Sequence, residues 1–186
     1  MLFVQDQDAG TLTPLTEIEV VGWFRWAPDG ESLAVLKGNP LANESTIWRI
    51  AADGSSEELL ASGRYLMLMW SPDGKKMLLA QRSAEISSRF LWSVMDLATR
   101  EINDLIEFTP SGEIEQLHLF FDQYSASHTF WSPDSSSIVF TGLLHNPLSR
   151  QEDRARGDDT VWVVKADGSE PPRAVADGFL AFWSPK

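Results

Sequence analysis

A short motif that begins with tryptophan recurs along the chain and restricts the folds that the chain can adopt. It is Trp-Ala-Pro-Asp-Gly at 26–30, Trp-Ser-Pro-Asp-Gly at 70–74 and Trp-Ser-Pro-Asp-Ser at 131–135, and a last copy is shortened to Trp-Ser-Pro-Lys at 183–186. Successive copies lie 44, 61 and 52 residues apart. Repeats of this length are typical of a structural unit that stacks on its neighbours.

Each repeat reads as four short strands. Apolar stretches follow one another between turn residues, and a second tryptophan recurs within each repeat, at Trp48, Trp92 and Trp162. In the first and third repeats an Asp-Gly pair, a strong turn signal, follows that second tryptophan. The pattern predicts three four-stranded antiparallel units, at residues 18–63, 64–109 and 125–177.

The two ends of the chain read as partial units. Residues 2–17 match the third and fourth strands of a repeat, and residues 178–186 match the first strand. The sequence therefore predicts an all-β fold, a β-propeller of four-stranded antiparallel blades within a single domain at 1–186. Three blades are complete, and the terminal strands are expected to complete a shared blade in which residues 178–186 are the closing inner strand.

The motif itself has the chemistry of a hairpin corner. Ser, Pro, Asp and Gly suit the four positions of a type I turn in order, and the preceding tryptophan offers an apolar surface to a neighbouring sheet. A tryptophan surface for sugars or bases is the alternative, but the regular spacing favours packing between blades. We therefore assign a structural role to the residues of the repeat: Trp26, Pro28, Asp29, Gly30, Trp70, Pro72, Asp73, Gly74, Trp131, Pro133, Asp134 and Trp183.

Two segments interrupt the repeat. Residues 110–124 form an excursion between blades, in which apolar residues at helical spacing after Ser111 predict a short helix. Residues 143–159 are rich in charge and lack an apolar period, which predicts a loop between the second and third strands of the third blade.

The repeated Trp-[Ser/Ala]-Pro-Asp-[Gly/Ser], followed by a strand and an Asp-Gly hairpin, resembles the WD40-like propeller repeat of TolB-type bacterial proteins. It is also similar to the propeller domains of the dipeptidyl peptidase and prolyl oligopeptidase families. The resemblance implies a non-catalytic scaffold that binds a protein or peptide partner. It also implies a periplasmic or extracytoplasmic location, although the first residues do not form a signal peptide.

Few residues offer catalytic chemistry. The chain has three histidines, no cysteine and no Gly-x-Ser-x-Gly nucleophile motif. The most concentrated polar group is Asp122, Tyr124 and His128, which precede the first strand of the third blade. They form either a hydrogen-bonded structural cluster, a ligand or metal site, or a catalytic centre. We expect a ligand site at most, with no catalytic residue, no resident metal and no cofactor.

Composition excludes two classes of partner. The formal net charge is −12, which repels nucleic acid. Apolar runs are much shorter than the roughly 18 residues that span a bilayer, so no membrane span is expected.

Two ways of completing the ring stay open. One chain closes four sheets by pairing its own ends, or two chains form a homodimer of eight sheets through exchanged terminal strands. Two other functions also stay open, a propeller subdomain that gates substrate access to a larger hydrolase and a small-ligand or metal-binding propeller.

Overall fold

The structure is a computed structural model that describes residues 1–17, 23–39, 44–119, 128–144 and 159–184. Within these ranges the chain forms antiparallel strands and one short helix. The predicted all-β class is confirmed.

The first complete blade is a four-stranded sheet. Its strands run in chain order: β3 (Trp23–Trp26), β4 (Ser32–Asn39), β5 (Glu44–Ala51) and β6 (Glu57–Gly63). The Pro-Asp-Gly corner joins β3 to β4, where Gly30 N donates to Ala27 O at 3.0 Å and Gly30 has a φ of +74°. Glycine adopts this left-handed conformation without the steric cost of a side chain.

The next two blades join into one seven-stranded sheet. The second blade contains β7 (Tyr65–Trp70), β8 (Lys76–Arg82), β9 (Phe90–Asp96) and β10 (Ile102–Pro110), and the third contains β11 (Ser137–Leu144), β12 (Thr160–Lys165) and β13 (Arg173–Asp177). Thr129 and Trp131 form isolated bridges where a first strand of the third blade was expected.

The merging of these blades has a local cause at Gly142. The end of β10 lies beside the end of β11, with Pro110 opposite Gly142. A Cβ at Gly142 would lie 2.1 Å from Thr109 O, and Gly142 has a φ of +145°. Only a residue without a side chain allows this approach. Near Gly142, β11 therefore has β10 as its neighbour. Nearer the corner, its neighbour is Trp131, which pairs with Ile138.

The motif tryptophans pack between blades and also make a hydrogen bond there. Trp70 Nε1 donates to Arg25 O at 3.4 Å, and Trp131 Nε1 donates to Met69 O at 3.2 Å. Each acceptor is the residue before the motif tryptophan of the preceding blade. The contact is therefore the same at two successive blade boundaries.

The corners of successive blades also lie against each other. Asp73 N donates to Ser135 Oγ at 3.1 Å, which joins the second and third corners. At the first and second corners, a Cβ built on Gly74 would lie 3.7 Å from Pro28 Cδ. The motif thus provides a turn and a contact between turns.

The main core lies between the second and third blades. Trp92 is fully buried and contacts the rings of Phe108, Phe130 and Phe140 at centroid distances of 5.3, 4.9 and 5.7 Å. Aromatic pairs at these separations stabilise a core beyond the area that they bury.

Helix α1 (Gly112–Leu119) follows the second blade. Ser111 caps it, because Ser111 Oγ accepts a hydrogen bond from Ile114 N at 3.3 Å. This is the helix that the sequence predicts after Ser111. The described ranges contain no helix with the length and apolar character needed to cross a membrane.

The two end segments pack on different blades. Strands β1 (Leu2–Gln5) and β2 (Leu12–Thr16) form a separate hairpin, whose Leu2, Val4 and Leu15 pack on Leu33, Val35 and Ile50 of the first blade. Residues 178–184 lie on the third blade instead, where Trp183 pairs with Thr129. Within the described chain the two segments form no ladder with each other, and a shared blade completed by the terminal strands stays a prediction.

Candidate functional site

The blades have two different ends, and a cleft opens at one of them. The Pro-Asp-Gly and Asp-Gly turns lie at the corner end, while the last residues of β4, the first residues of β5 and the chain passing from β6 to β7 lie at the crossover end. The cleft at the crossover end has a volume of about 500 Å³. We call it the crossover cleft; its lining residues are Lys37, Gly38, Glu44, Ser45, Thr46, Ser62, Gly63 and Arg64.

Backbone contacts hold the walls of the crossover cleft in place. Buried Ser45 accepts a hydrogen bond from Tyr65 N at 2.8 Å and contacts Gly63 O at 3.1 Å. It therefore fixes the crossover to the first blade. A Cβ at Gly38 would lie 2.5 Å from Glu44 O, so glycine lets the two strands approach at the rim.

Tyr65 lies beside this crossover and is buried. Burial raises the pKa of its phenol, and the charge of Asp104 raises it further. The raised pKa keeps the phenol of Tyr65 neutral at neutral pH, so Tyr65 supports the crossover as an uncharged, buried side chain.

The charge of Lys37 is already compensated. Lys37 Nζ forms an ion pair with Glu57 and donates to Thr16 Oγ1 at 2.6 Å. It also lies 4.7 Å from the ring centroid of Trp48. These contacts tie the β1–β2 hairpin to the first blade, so Lys37 has mainly a structural part in the cleft.

Arg64 is the uncompensated cation of the crossover cleft. It is half-buried at the point where β6 gives way to β7, and within the described ranges it makes no hydrogen bond or ion pair. Its Nε atom is buried without an acceptor. A guanidinium without partners costs free energy that a ligand carrying a carboxylate can recover.

A second, smaller cleft lies at the corner end and also contains an arginine. Arg49 lines it, and Arg49 Nε donates to Ser32 Oγ at 3.0 Å while its guanidinium lies 3.8 Å from an Asp29 carboxylate oxygen. Its arginine already has protein acceptors, whereas Arg64 does not.

The structure describes only one residue of the polar cluster that the sequence predicts. His128 is half-buried, and its ring lies 4.6 Å from the ring of Phe182 at an angle of 80°. Asp122 and Tyr124 lie outside the described residues. A ligand site at these three residues therefore stays a prediction. Among the residues that the structure describes, no three His, Asp or Glu side chains lie close enough together to hold a metal ion.

No motif in the sequence points to Arg64 or to the crossover cleft. Arg64 follows Gly63 between two strands, and a lone arginine in a connection has no motif. The available signal was positional, since the residue that connects an outer strand to the next inner strand lies at the crossover end of a blade.

Stacked antiparallel blades, tryptophan contacts at each boundary and a cleft at the crossover end define the chain as part of a β-propeller. The fold is that of a TolB-like propeller, and it is similar to three solved structures. TolB from Agrobacterium tumefaciens matches with a TM-score of 0.51 at 20% identity, covering 87% of this chain and 48% of that one. The propeller domain of the Trilobed protease from Pyrococcus furiosus matches with a TM-score of 0.54 at 18% identity, covering 80% and 40%.

The third match is oligogalacturonate lyase in complex with manganese, with a TM-score of 0.60 at 16% identity; it covers 93% of this chain and 41% of that one. These likenesses establish the fold. The chain spans less than half the length of each of these solved proteins. No protein-family model matches the sequence, and no curated protein matches it.

Proposed function

We propose that the chain is a non-catalytic scaffold that binds a protein or peptide partner at the crossover cleft. The carrying observation is Arg64, a half-buried guanidinium without an acceptor in the described chain, in a cleft of about 500 Å³. A cleft of this size accommodates a few side chains of an extended segment. The TolB-like fold is consistent with such a role, since one TolB is among the similar structures.

The chemistry of the cleft suggests which group of the partner is bound. The hydroxyls of Thr46 and Ser62 line the cleft beside Arg64 and can donate to a carboxylate, whereas Glu44 on the same lining carries the one carboxylate of the described wall. The rest of the protein is strongly acidic, so a local cation is needed to accept an acidic group. We therefore propose a peptide segment with an acidic side chain or a free C-terminal carboxylate.

A peptide array tests this proposal. The array would present peptides with free and amidated C-termini, with and without Asp or Glu, to the wild-type chain and to Arg64→Ala. We expect wild-type binding to carboxylate-bearing peptides and a roughly ten- to hundredfold weaker affinity for Arg64→Ala, because a charge-assisted hydrogen bond contributes about 1.5–3 kcal/mol.

Arg49→Ala is the matched control, because Arg49 lines the other cleft and has its own acceptors. Its peptide affinities should equal those of the wild type. Either an array without bound peptides or equal affinities for Arg64→Ala and the wild type would refute the proposal.

A second candidate is a propeller subdomain that gates access to a hydrolase. The observation in its favour is that prolyl endopeptidase and the Trilobed protease are among the similar structures, with TM-scores of 0.55 and 0.54. The gene around these residues distinguishes the two functions. A downstream Gly-x-Ser-x-Gly motif between a strand and a helix would favour gating.

A further inference from the structure

Exposed apolar side chains concentrate at the two ends of the row of blades. Nine of the ten exposed large hydrophobic residues in the described ranges lie there, all except Ile102. They are Met1, Phe3, Leu12, Phe24, Trp26 and Leu59 on the first-blade side and Val175, Phe179 and Leu180 on the third-blade side. Apolar surface gathered in this way marks an interaction site.

At the first end, the β1–β2 hairpin covers only part of the outward face of the first blade. Trp26 lies opposite Leu33 and Phe24 lies opposite Val35, so the four side chains share one face of the sheet. The β1–β2 hairpin buries Leu33 and Val35 on the outer part of this face. Phe24 and Trp26 on the inner part are each 47% exposed.

The internal blade boundaries show what kind of surface packs on a motif tryptophan such as Trp26. At the two internal boundaries the motif tryptophan donates to the carbonyl of the residue before the motif tryptophan of the preceding blade. Trp26 is the same position of the first blade, and within the described chain its indole N–H has no acceptor. An inner strand of a preceding blade, with a carbonyl in this position, would therefore complement Trp26.

The other end of the chain offers such a strand. Residues 178–184 carry the last copy of the motif, and Phe182 precedes Trp183. Phe182 packs on Phe130 of the third blade at a centroid distance of 5.3 Å. Phe179 and Leu180 of the same segment stay exposed. Phe182 of this segment thus packs on its own chain, whereas Phe179 and Leu180 are exposed to solvent.

We propose that a second copy of this chain covers Phe24 and Trp26 with its residues 178–184, and that Trp26 Nε1 donates to Phe182 O of the partner subunit. The β1–β2 hairpin and the closing strand remain on their own blades. A boundary blade forms where the hairpin of one copy meets the closing strand of the other, so no strand is exchanged. Phe3 and Leu12 on the outer face of the hairpin then lie toward the partner's third blade.

The size of known rings supports a second copy as the occupant. The residues of this chain cover 40% of the Trilobed protease propeller domain, and two copies together would match a ring of similar size. Two copies related by a twofold axis form two identical boundary blades, and together with three blades from each copy they give eight, within the range of about four to eight typical of propellers.

Mass in solution tests the proposal. Light scattering and sedimentation of the wild-type chain should give twice the mass of one chain. Phe24→Ser/Trp26→Ser should give the mass of one chain at the same concentrations. Trp26→Phe keeps most of the apolar area and loses the indole N–H, so its dimer dissociation constant should rise roughly ten- to hundredfold, since two hydrogen bonds are lost per dimer.

Ile102→Ser is the control, because Ile102 is also exposed but lies on outer strand β10 of the second blade, between the two ends. It should remain dimeric. Circular dichroism of every variant establishes that it is folded. A wild-type mass of one chain would overturn the proposal, and so would a dimer that Phe24→Ser/Trp26→Ser leaves intact.

A mixing experiment tests the head-to-tail geometry. Phe24→Ser/Trp26→Ser disables one end of the chain, and Phe179→Ser/Leu180→Ser disables the other. Each variant alone should be monomeric. Mixed together they retain one intact boundary, so a heterodimer should appear in the sedimentation profile. If the mixture stays monomeric while both single variants also do, the two surfaces do not face each other and the proposal fails.

Discussion

At the scale of single residues, the corner aspartates matter more than their exposed position suggests. Asp134 Oδ1 accepts hydrogen bonds from Ser132 Oγ at 2.5 Å and from Ser136 N at 3.1 Å. These bonds, led by the one from the Ser132 side chain, lower the pKa of Asp134 from 3.8 to about 2. The hydrogen bonds of the corner thus favour the ionised form of Asp134.

This carboxylate predicts a specific dependence of stability on pH. Because the folded-state pKa of Asp134 lies below its unfolded value, its stabilisation is fully present above about pH 4 and is lost as the pH falls through about 2. Asp134→Asn should therefore be less stable than the wild type at pH 7, and the difference in melting temperature should shrink between pH 4 and 2.

Thermal melts of both proteins from pH 7 to 2.5 measure this difference. Asp177→Asn is the control, because Asp177 accepts no hydrogen bond from the described residues. A melting-temperature difference for Asp134→Asn that stays constant over the whole pH range would contradict the role of the ionised carboxylate.

At the scale of the elements, the blade boundary is the repeated stabilising unit. Trp131 is fully buried, and its indole joins the third blade to Met69 of the second. Trp162 Nε1 donates a hydrogen bond of similar length, 3.0 Å, to Gly142 O, but this bond lies within its own sheet. Substitutions at the two tryptophans therefore compare a hydrogen bond between blades with one inside a blade.

Trp131→Phe should lower the free energy of unfolding by about 2–3 kcal/mol, from the lost hydrogen bond and the space left in the core. Trp162→Phe should cost about 1 kcal/mol, because Trp162 is only half-buried. Urea unfolding followed by far-UV circular dichroism measures both values. Equal losses in the two variants would argue against a special role for the boundary.

At the scale of the whole molecule, an assembly of two copies predicts a melting temperature that depends on concentration. Association stabilises the folded state by mass action, so dilution should lower the melting temperature. We expect a clear decrease for the wild type between about 100 μM and 1 μM, by several degrees for a domain of this size. Phe24→Ser/Trp26→Ser should melt at the same temperature at both concentrations, and a wild type that does likewise would contradict the assembly.

Much of the fold could be predicted from the sequence because the repeat carries it. Strand order within the first two blades, the tight corners and the capped helix after Ser111 all follow from local chemistry with a regular spacing. The fusion of the second and third blades could not be predicted, since Gly142 looks like any strand glycine until Thr109 is known to lie against it. The role of Arg64 could not be predicted for a related reason. Its lack of hydrogen-bond partners depends on the residues that the fold places around it.

The tryptophan hydrogen bond gives the row of blades a direction, because the indoles of Trp70 and Trp131 both donate toward the blade before their own. Contacts of this kind can be extended without limit, and only the rotation accumulated from copy to copy decides whether the result is a closed ring or a growing fibre. A substitution that changes the angle between two blades, without weakening any contact, would therefore convert a discrete particle into a polymer.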